Sequence, residues 1–236
     1  SSEFAPMQKW IREQGLAPWE WDLDTPYFVP IRLKPIDGAG GISHAVVHSD
    51  RELRDVLKAR LGEPTSYGQK MNELIIQPNL SPDVYDEYIV ETVTSSLSGR
   101  PIHRRPFFYR YQKCKLSDGV KTLNQVLWLL PPQGQVQQVL SAESDRVLAA
   151  FGVRYGPTHS EYFLRKDGSG PVIHGETGFR PGGLAGFLRD VALASMGIDE
   201  YGQILAGYID FDRFQSIQPQ QYKPAAIVKG VSRDGD

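Results

Sequence analysis

Hydrophobic and polar positions along this chain change period often, and the changes mark its elements. Met7, Trp10 and Ile11 recur at helical spacing and Gly15 ends the pattern, which predicts a short helix over 5–14. Leu16–Pro30 reads as a linker running into a strand. FVPIRLKPI alternates as that strand, breaks at DGAGG and resumes as ISHAVV, a hairpin with a glycine tip. Ser49-Asp50 then opens a helix, DRELRDVLKARLG. After EPTSYGQKMN, which reads as mobile, come the apolar strand ELIIQ, the polar loop NLSPDVYD and the strand EYIVETVTSSL. Further strands are predicted at 105–113 and 122–130. Apolar residues at 136, 139, 140, 147, 148 and 151 fall largely on one face of a long helix. HSEYFLRK and GPVIHGET face each other as strands across KDGSG, a hairpin turn sequence. GLAGFLRDVALASMG and DEYGQILAGYI read as helices, and Ala225–Val228 as a last strand with nothing following it to pair against. Mostly antiparallel strands interspersed with helices make the chain α+β.

Composition narrows the class. The 236 residues are 40% hydrophobic and 11% aromatic, enough to close the core of one large domain or two small ones. Lys and Arg number 26 against 28 Asp and Glu, and the resulting charge of −2 argues against nucleic acid, which selects a basic stripe. No apolar run approaches the roughly 18–20 residues that cross a bilayer, so no membrane partner is expected. The opening SSEF lacks an initiator Met and the order of a secretion signal. It reads as a cloning remnant, with native sequence expected beyond both ends. The single Cys114 excludes an internal disulfide framework and fits a reducing, cytoplasmic compartment.

Three groups of residues carry candidate chemistry. Lys34 ends a strand, and Gly38, Gly40 and Gly41 follow in a loop whose free backbone amides can fold over phosphates beside the lysine charge. The GK[ST] ending of a Walker loop is absent, and an ordinary glycine turn beside a solvated lysine is the commoner meaning of these residues alone. Glu161 on HSEYFL and Glu176 on VIHGET form the second group. If their strands pair, both carboxylates can lie on one face and share a hard cation. Magnesium suits one or two carboxylates completed by substrate phosphates. Arg180, ahead of Gly182-Gly183, offers its fork to a phosphate or carboxylate. A solvated hairpin with surface Glu and Arg is the even alternative. Gln77, Pro78, Asn79 and Leu80, with Glu87 beyond, can present backbone groups to a purine and a carboxylate to ribose, although any loop between strands looks the same.

The order and spacing of these groups resemble the ATP-grasp superfamily over nearly the whole chain. LKPIDGAGG is similar to its Lys-Pro strand and phosphate loop, and ELIIQPNL with DEYIVETV to its hinge. The resemblance implies that Gln77, Pro78, Asn79 and Leu80 line adenine and that Glu87 meets the ribose. YGPTHSE and HGETGFRPGG resemble the family's metal-binding strands, which implies Glu161 and Glu176 as magnesium ligands and Arg180 as a catalytic residue. EYIVETV, YRYQK, YGPTHSE and RPGG look most like the carboxylate–amine ligases that join amino acids. In that branch the position of His159 suggests a contact to the substrate carboxylate, whereas a lone His is more often a structural hydrogen-bonder. One departure is Gly178, which stands where the family has an Asn, so a neutral oxygen ligand is lost.

By this resemblance two α+β subdomains of mostly antiparallel sheet grip a nucleotide. An N-terminal helix and linker occupy 1–24, a small subdomain with the glycine loop 25–80, a large subdomain with the metal site 81–216, and a C-terminal segment 217–236. ATP and two magnesium ions are the implied cofactors, and a small carboxylate and an amine the substrates. An N-terminal domain of about 100 residues ahead of Ser1 is the expected partner within the same protein. A homodimer is compatible with the sequence. The implied activity is a ligase that activates a carboxylate, an amino acid foremost, as an acyl phosphate for attack by an amine. The alternative is a non-catalytic nucleotide-binding module of a larger assembly.

Overall fold

The computed structural model describes residues 30–35, 44–64, 68, 70–114, 124–182 and 187–229. The expected helix over 5–14 and the glycines at 38, 40, 41 and 183 lie outside the described residues. The chain divides into two compact units, Ser1–Leu80 and Ser81–Asp236.

In the first unit β1 (Ile31–Pro35) lies between β2 (Ala45–Val47) and β3 (Leu74–Pro78) in a three-stranded antiparallel sheet. Strand alternation sorts its side chains. Ile31 and Leu33 pack with Leu53 and Leu57 of α1 (Asp50–Arg60), and Arg32 and Lys34 take the opposite face. The helix begins where Ser49 Oγ accepts the amide of Glu52 at 3.2 Å, while the Glu52 carboxylate accepts the amide of His48 at 2.7 Å. The first bond satisfies a donor that the first turn leaves without a partner, and the second ties the turn to the residue before its cap.

The second unit is a six-stranded antiparallel sheet in the order β8-β7-β4-β5-β6-β9. Its strands are β4 (Tyr85–Ser95), β5 (His103–Cys114), β6 (Asn124–Leu129), β7 (Gly156–Arg165), β8 (Ile173–Gly178) and β9 (Ala225–Lys229). Directly paired residues share a face, so the sheet has two distinct sides. On one, Tyr88, Val90, Phe108 and Tyr162 pack with Leu140 and Val147 of α2 (Gln135–Ala150). On the other, Ile89, Phe107, Tyr109 and Leu127 pack with Leu188, Val191 and Ala192 of α3 (Phe187–Met196). Val93 meets Ala206 of α4 (Glu200–Ile209) and Phe214 of α5 (Phe211–Ser216). Burying a large apolar side chain of this kind contributes about 1.5–3 kcal/mol.

The β7–β8 hairpin, the long helix and the two later helices stand close to their expected limits. The short α5 is an addition, because six residues hardly establish a helical period. Ala225–Lys229 is the expected last strand, and its partner lies earlier in the chain: it pairs backward onto β6, with Leu127 opposite Ile227, at an edge of the sheet. No helix of the described residues is long and apolar enough to cross a membrane.

Candidate functional site

The β7–β8 hairpin sets the geometry through one irregularity. Phe163 pairs with Ile173 and Tyr162 with His174, so regular pairing would place Gly175 opposite Glu161. The register shifts there, and Glu161 pairs with Glu176 instead. Gly175 is the extra residue of a bulge, and it turns Glu176 onto the face of Glu161. Glycine avoids a clash there, since a Cβ at 175 would come within 2.9 Å of Phe163 Cε2 and 3.2 Å of the Glu161 carbonyl oxygen.

On the other flank of β7, strand β4 places Ile89 opposite Glu161, Glu91 opposite His159 and Glu87 opposite Phe163. Glu87, Glu91, His159, Glu161 and Glu176 therefore share one face of the sheet. Tyr111 joins them from β5, opposite Glu87. Burial, followed by the carboxylates of Glu87 and Glu161, pushes its phenol well above the ordinary value.

His159 bridges two of these carboxylates. Its Nε2 lies 4.0 Å from Glu161 Oε1, and its Nδ1 contacts Glu91. Burial works against the imidazolium, but the hydrogen bond and charge of Glu91, aided by Glu161, outweigh it and raise the pKa. The charge of Arg180 acts on His159 in the opposite sense. Arg180 itself is in the exposed turn after β8 and donates from Nη1 to the Pro181 carbonyl at 3.0 Å. Two residues on, the amide of Gly182 donates to Glu91 Oε2 at 2.9 Å. Glu200, buried at the start of α4, is pushed up to about 7 by burial and then by the charge of Glu91.

Sequence reasoning singled out Glu87, His159, Glu161, Glu176 and Arg180, and it missed Glu91 and Glu200. For Glu91 a signal existed, because period two in EYIVETV sets it on the face of Glu87. For Glu200 there was none, since α4 brings it to the sheet from far along the chain.

In the first unit, Arg32 pairs with Gln77 and Lys34 with Ile75, so Lys34 and Gln77 share the sheet face away from α1. Lys34 is buried. Pro78 ends β3, and Arg32 donates to Asn79 Oδ1 at 3.3 and 3.2 Å from Nε and Nη2. The Asn79 amide reaches the Pro30 carbonyl at 3.1 Å, which ties the stretch before Leu80 to the start of β1.

Glu161 and Glu176 supply hard oxygen donors. Among the described residues no group of three or more His, Cys, Asp or Glu has the spacing of a metal site. A pair of carboxylates fits magnesium, which fills the rest of its shell with water and phosphate oxygens, better than an ion needing an all-protein cage.

No family model matches the sequence, and no curated protein matches it. Solved structures do match the fold. An L-amino acid ligase from Bacillus licheniformis superposes with a TM-score of 0.58, at 19% identity over 92% of this chain and 50% of that one. The N5-carboxyaminoimidazole synthetase from Staphylococcus aureus complexed with ADP gives 0.56, at 10% identity over 84% and 45%. A biotin carboxylase complex with β,γ-ATP from Campylobacter jejuni gives 0.55, at 15% identity over 82% and 39%. All three are ATP-grasp structures, and this chain has the ATP-grasp fold. It spans half or less of the length of each.

Proposed function

We propose that this chain is the nucleotide-activating part of an ATP-dependent ligase, which converts a small carboxylate of the amino acid class into an acyl phosphate for attack by an amine. The observation that carries this reading is the direct opposition of Glu161 and Glu176 across β7 and β8, with His159 and Glu87 on the same face. Phosphoryl transfer needs positioning and charge neutralisation more than covalent help from the protein. Glu161 and Glu176 would hold magnesium, which when bound offsets charge on the β and γ phosphate oxygens. Lys34, with Gly38, Gly40 and Gly41, would hold phosphates. Gln77, Pro78, Asn79 and Leu80 would line the adenine, and Glu87 would meet ribose hydroxyls. His159 would orient the substrate carboxylate. Arg180 would stabilise the negative charge that develops as a carboxylate oxygen attacks the γ phosphorus and ADP departs.

Trapping with hydroxylamine tests the reaction. Given ATP, magnesium and a panel of amino acids, the protein is expected to yield the hydroxamate of one carboxylate class, and Arg180→Ala to lower its rate by about 100-fold. Tight binding of ATP and magnesium with no hydroxamate from any carboxylate would overturn the ligase reading in favour of a binding module.

A further inference from the structure

Glu91 has no part in the chemistry just described, yet its side chain is 1% exposed at the middle of the sheet. It lies between Phe107 on β5 and His159 on β7. A carboxylate so far from water costs several kcal/mol unless charge-assisted hydrogen bonds replace its hydration. Both oxygens have such bonds: Oε1 meets His159 Nδ1, and Oε2 accepts the Gly182 amide at 2.9 Å. The ring meets this oxygen through Nδ1, so a proton carried on that nitrogen lies between the ring and the carboxylate. The turn presses closely on this group. A Cβ at Gly182 would lie 2.3 Å from Glu91 Oε1 and 2.3 Å from Leu188 Cδ1, so residue 182 must be glycine for the turn to approach. Gly182 is two residues past Arg180, and His159 two before Glu161. One buried carboxylate thus holds both the ring and the turn that carry the cationic groups on this side of the site.

We propose that Glu91 is a positioning residue that fixes His159 with Nε2 toward Glu161 and tethers the Arg180–Gly182 turn through the Gly182 amide. This rests on the roles given above to His159 and Arg180. Glu91 acts through them and touches no substrate. Glu91→Gln separates its two bonds, and Gly182→Ala disturbs both. In Glu91→Gln the amide oxygen still accepts from Gly182, while the amide N–H group faces Nδ1 and requires it as an acceptor, which leaves no proton on Nδ1. In Gly182→Ala the added methyl meets Glu91 Oε1, the oxygen at the ring, and so disturbs the turn and the ring contact together.

The test combines NMR on the nitrogen-15-labelled chain with calorimetry of ATP plus magnesium and hydroxamate formation. The His159 resonances are assigned among the five histidines by their loss in His159→Gln. The wild type is expected to show a slowly exchanging downfield proton on His159 Nδ1 and a protected Gly182 amide. Glu91→Gln should lose the ring signal and keep the amide protection. Gly182→Ala should weaken both the ring signal and the protection of the amide at 182. Both variants should bind ATP with magnesium to within about threefold of wild type and form hydroxamate about tenfold or more slowly, a loss in turnover rather than affinity. A wild-type ring protonated at Nε2 alone, a Nδ1 proton that survives Glu91→Gln, or variants that turn over at the wild-type rate would overturn the assignment. If the wild type makes no hydroxamate, the ligase reading fails, and the wild-type and Glu91→Gln spectra still decide whether Glu91 holds the ring and turn.

Discussion

Glu200 begins α4 at 3% exposure, and burial, with the charge of Glu91 added, pushes its carboxyl from an ordinary value of 4.5 up to about 7. Between these two values the folded chain binds more protons than the unfolded chain. Stability on this account is full below about pH 4.5 and declines as pH rises through 7, by about 3 kcal/mol. His159, also raised, contributes a decline of the same sign that Glu200→Gln leaves in place. The melting temperature of the wild type should therefore fall several degrees further between pH 5 and pH 8 than that of Glu200→Gln. Equal falls in the two proteins would mean that Glu200 ionises freely. Such groups escape sequence reading for a simple reason: a glutamate in the first turn of a helix is ordinarily solvated, and only packing of α4 against the sheet makes this one costly.

The β7–β8 hairpin shows what local pattern can and cannot convey. The strands and the KDGSG turn between them follow from alternation and turn chemistry, whereas a shared face for Glu161 and Glu176 is only one of the arrangements that pairing allows. Strict alternation from Ile173 would have put Gly175, not Glu176, beside Glu161. The missing ingredient is the bulge, which one extra glycine creates and no periodicity reveals. Gly175→Ala brings a methyl within 2.9 Å of the Phe163 ring and is expected to cost about 1–3 kcal/mol. If the hairpin relieves this by slipping one residue, Glu176 turns to the opposite face. Magnesium-dependent affinity for ATP should then fall by about tenfold or more, measured by calorimetry, and an unchanged affinity would deny the bulge its role. The strand β9 was legible but its partner was not, since β6 lies roughly a hundred residues earlier and pairing at that range leaves no local trace. Glu91 stood in plain alternation with Glu87, but a strand sequence does not say which of its polar positions will be buried.

At the scale of the whole molecule, fold and sequence carry different information. No family model matches the sequence, while the fold superposes on solved structures at identities of 10–19%. The groups that resemble the ATP-grasp pattern, from LKPIDGAGG to HGETGFRPGG, are short stretches of the chain. They leave substrate choice open, because an acceptor pocket is shaped by many side chains that vary freely. Calorimetric titration of ATP with and without magnesium, on this chain and on Glu161→Gln, is the measurement to make first. Binding with a dissociation constant on the order of micromolar is expected, dependent on the metal and weakened about 100-fold in Glu161→Gln. Binding indifferent to both magnesium and Glu161 would contradict the assignment of this sheet face as a metal-assisted nucleotide site.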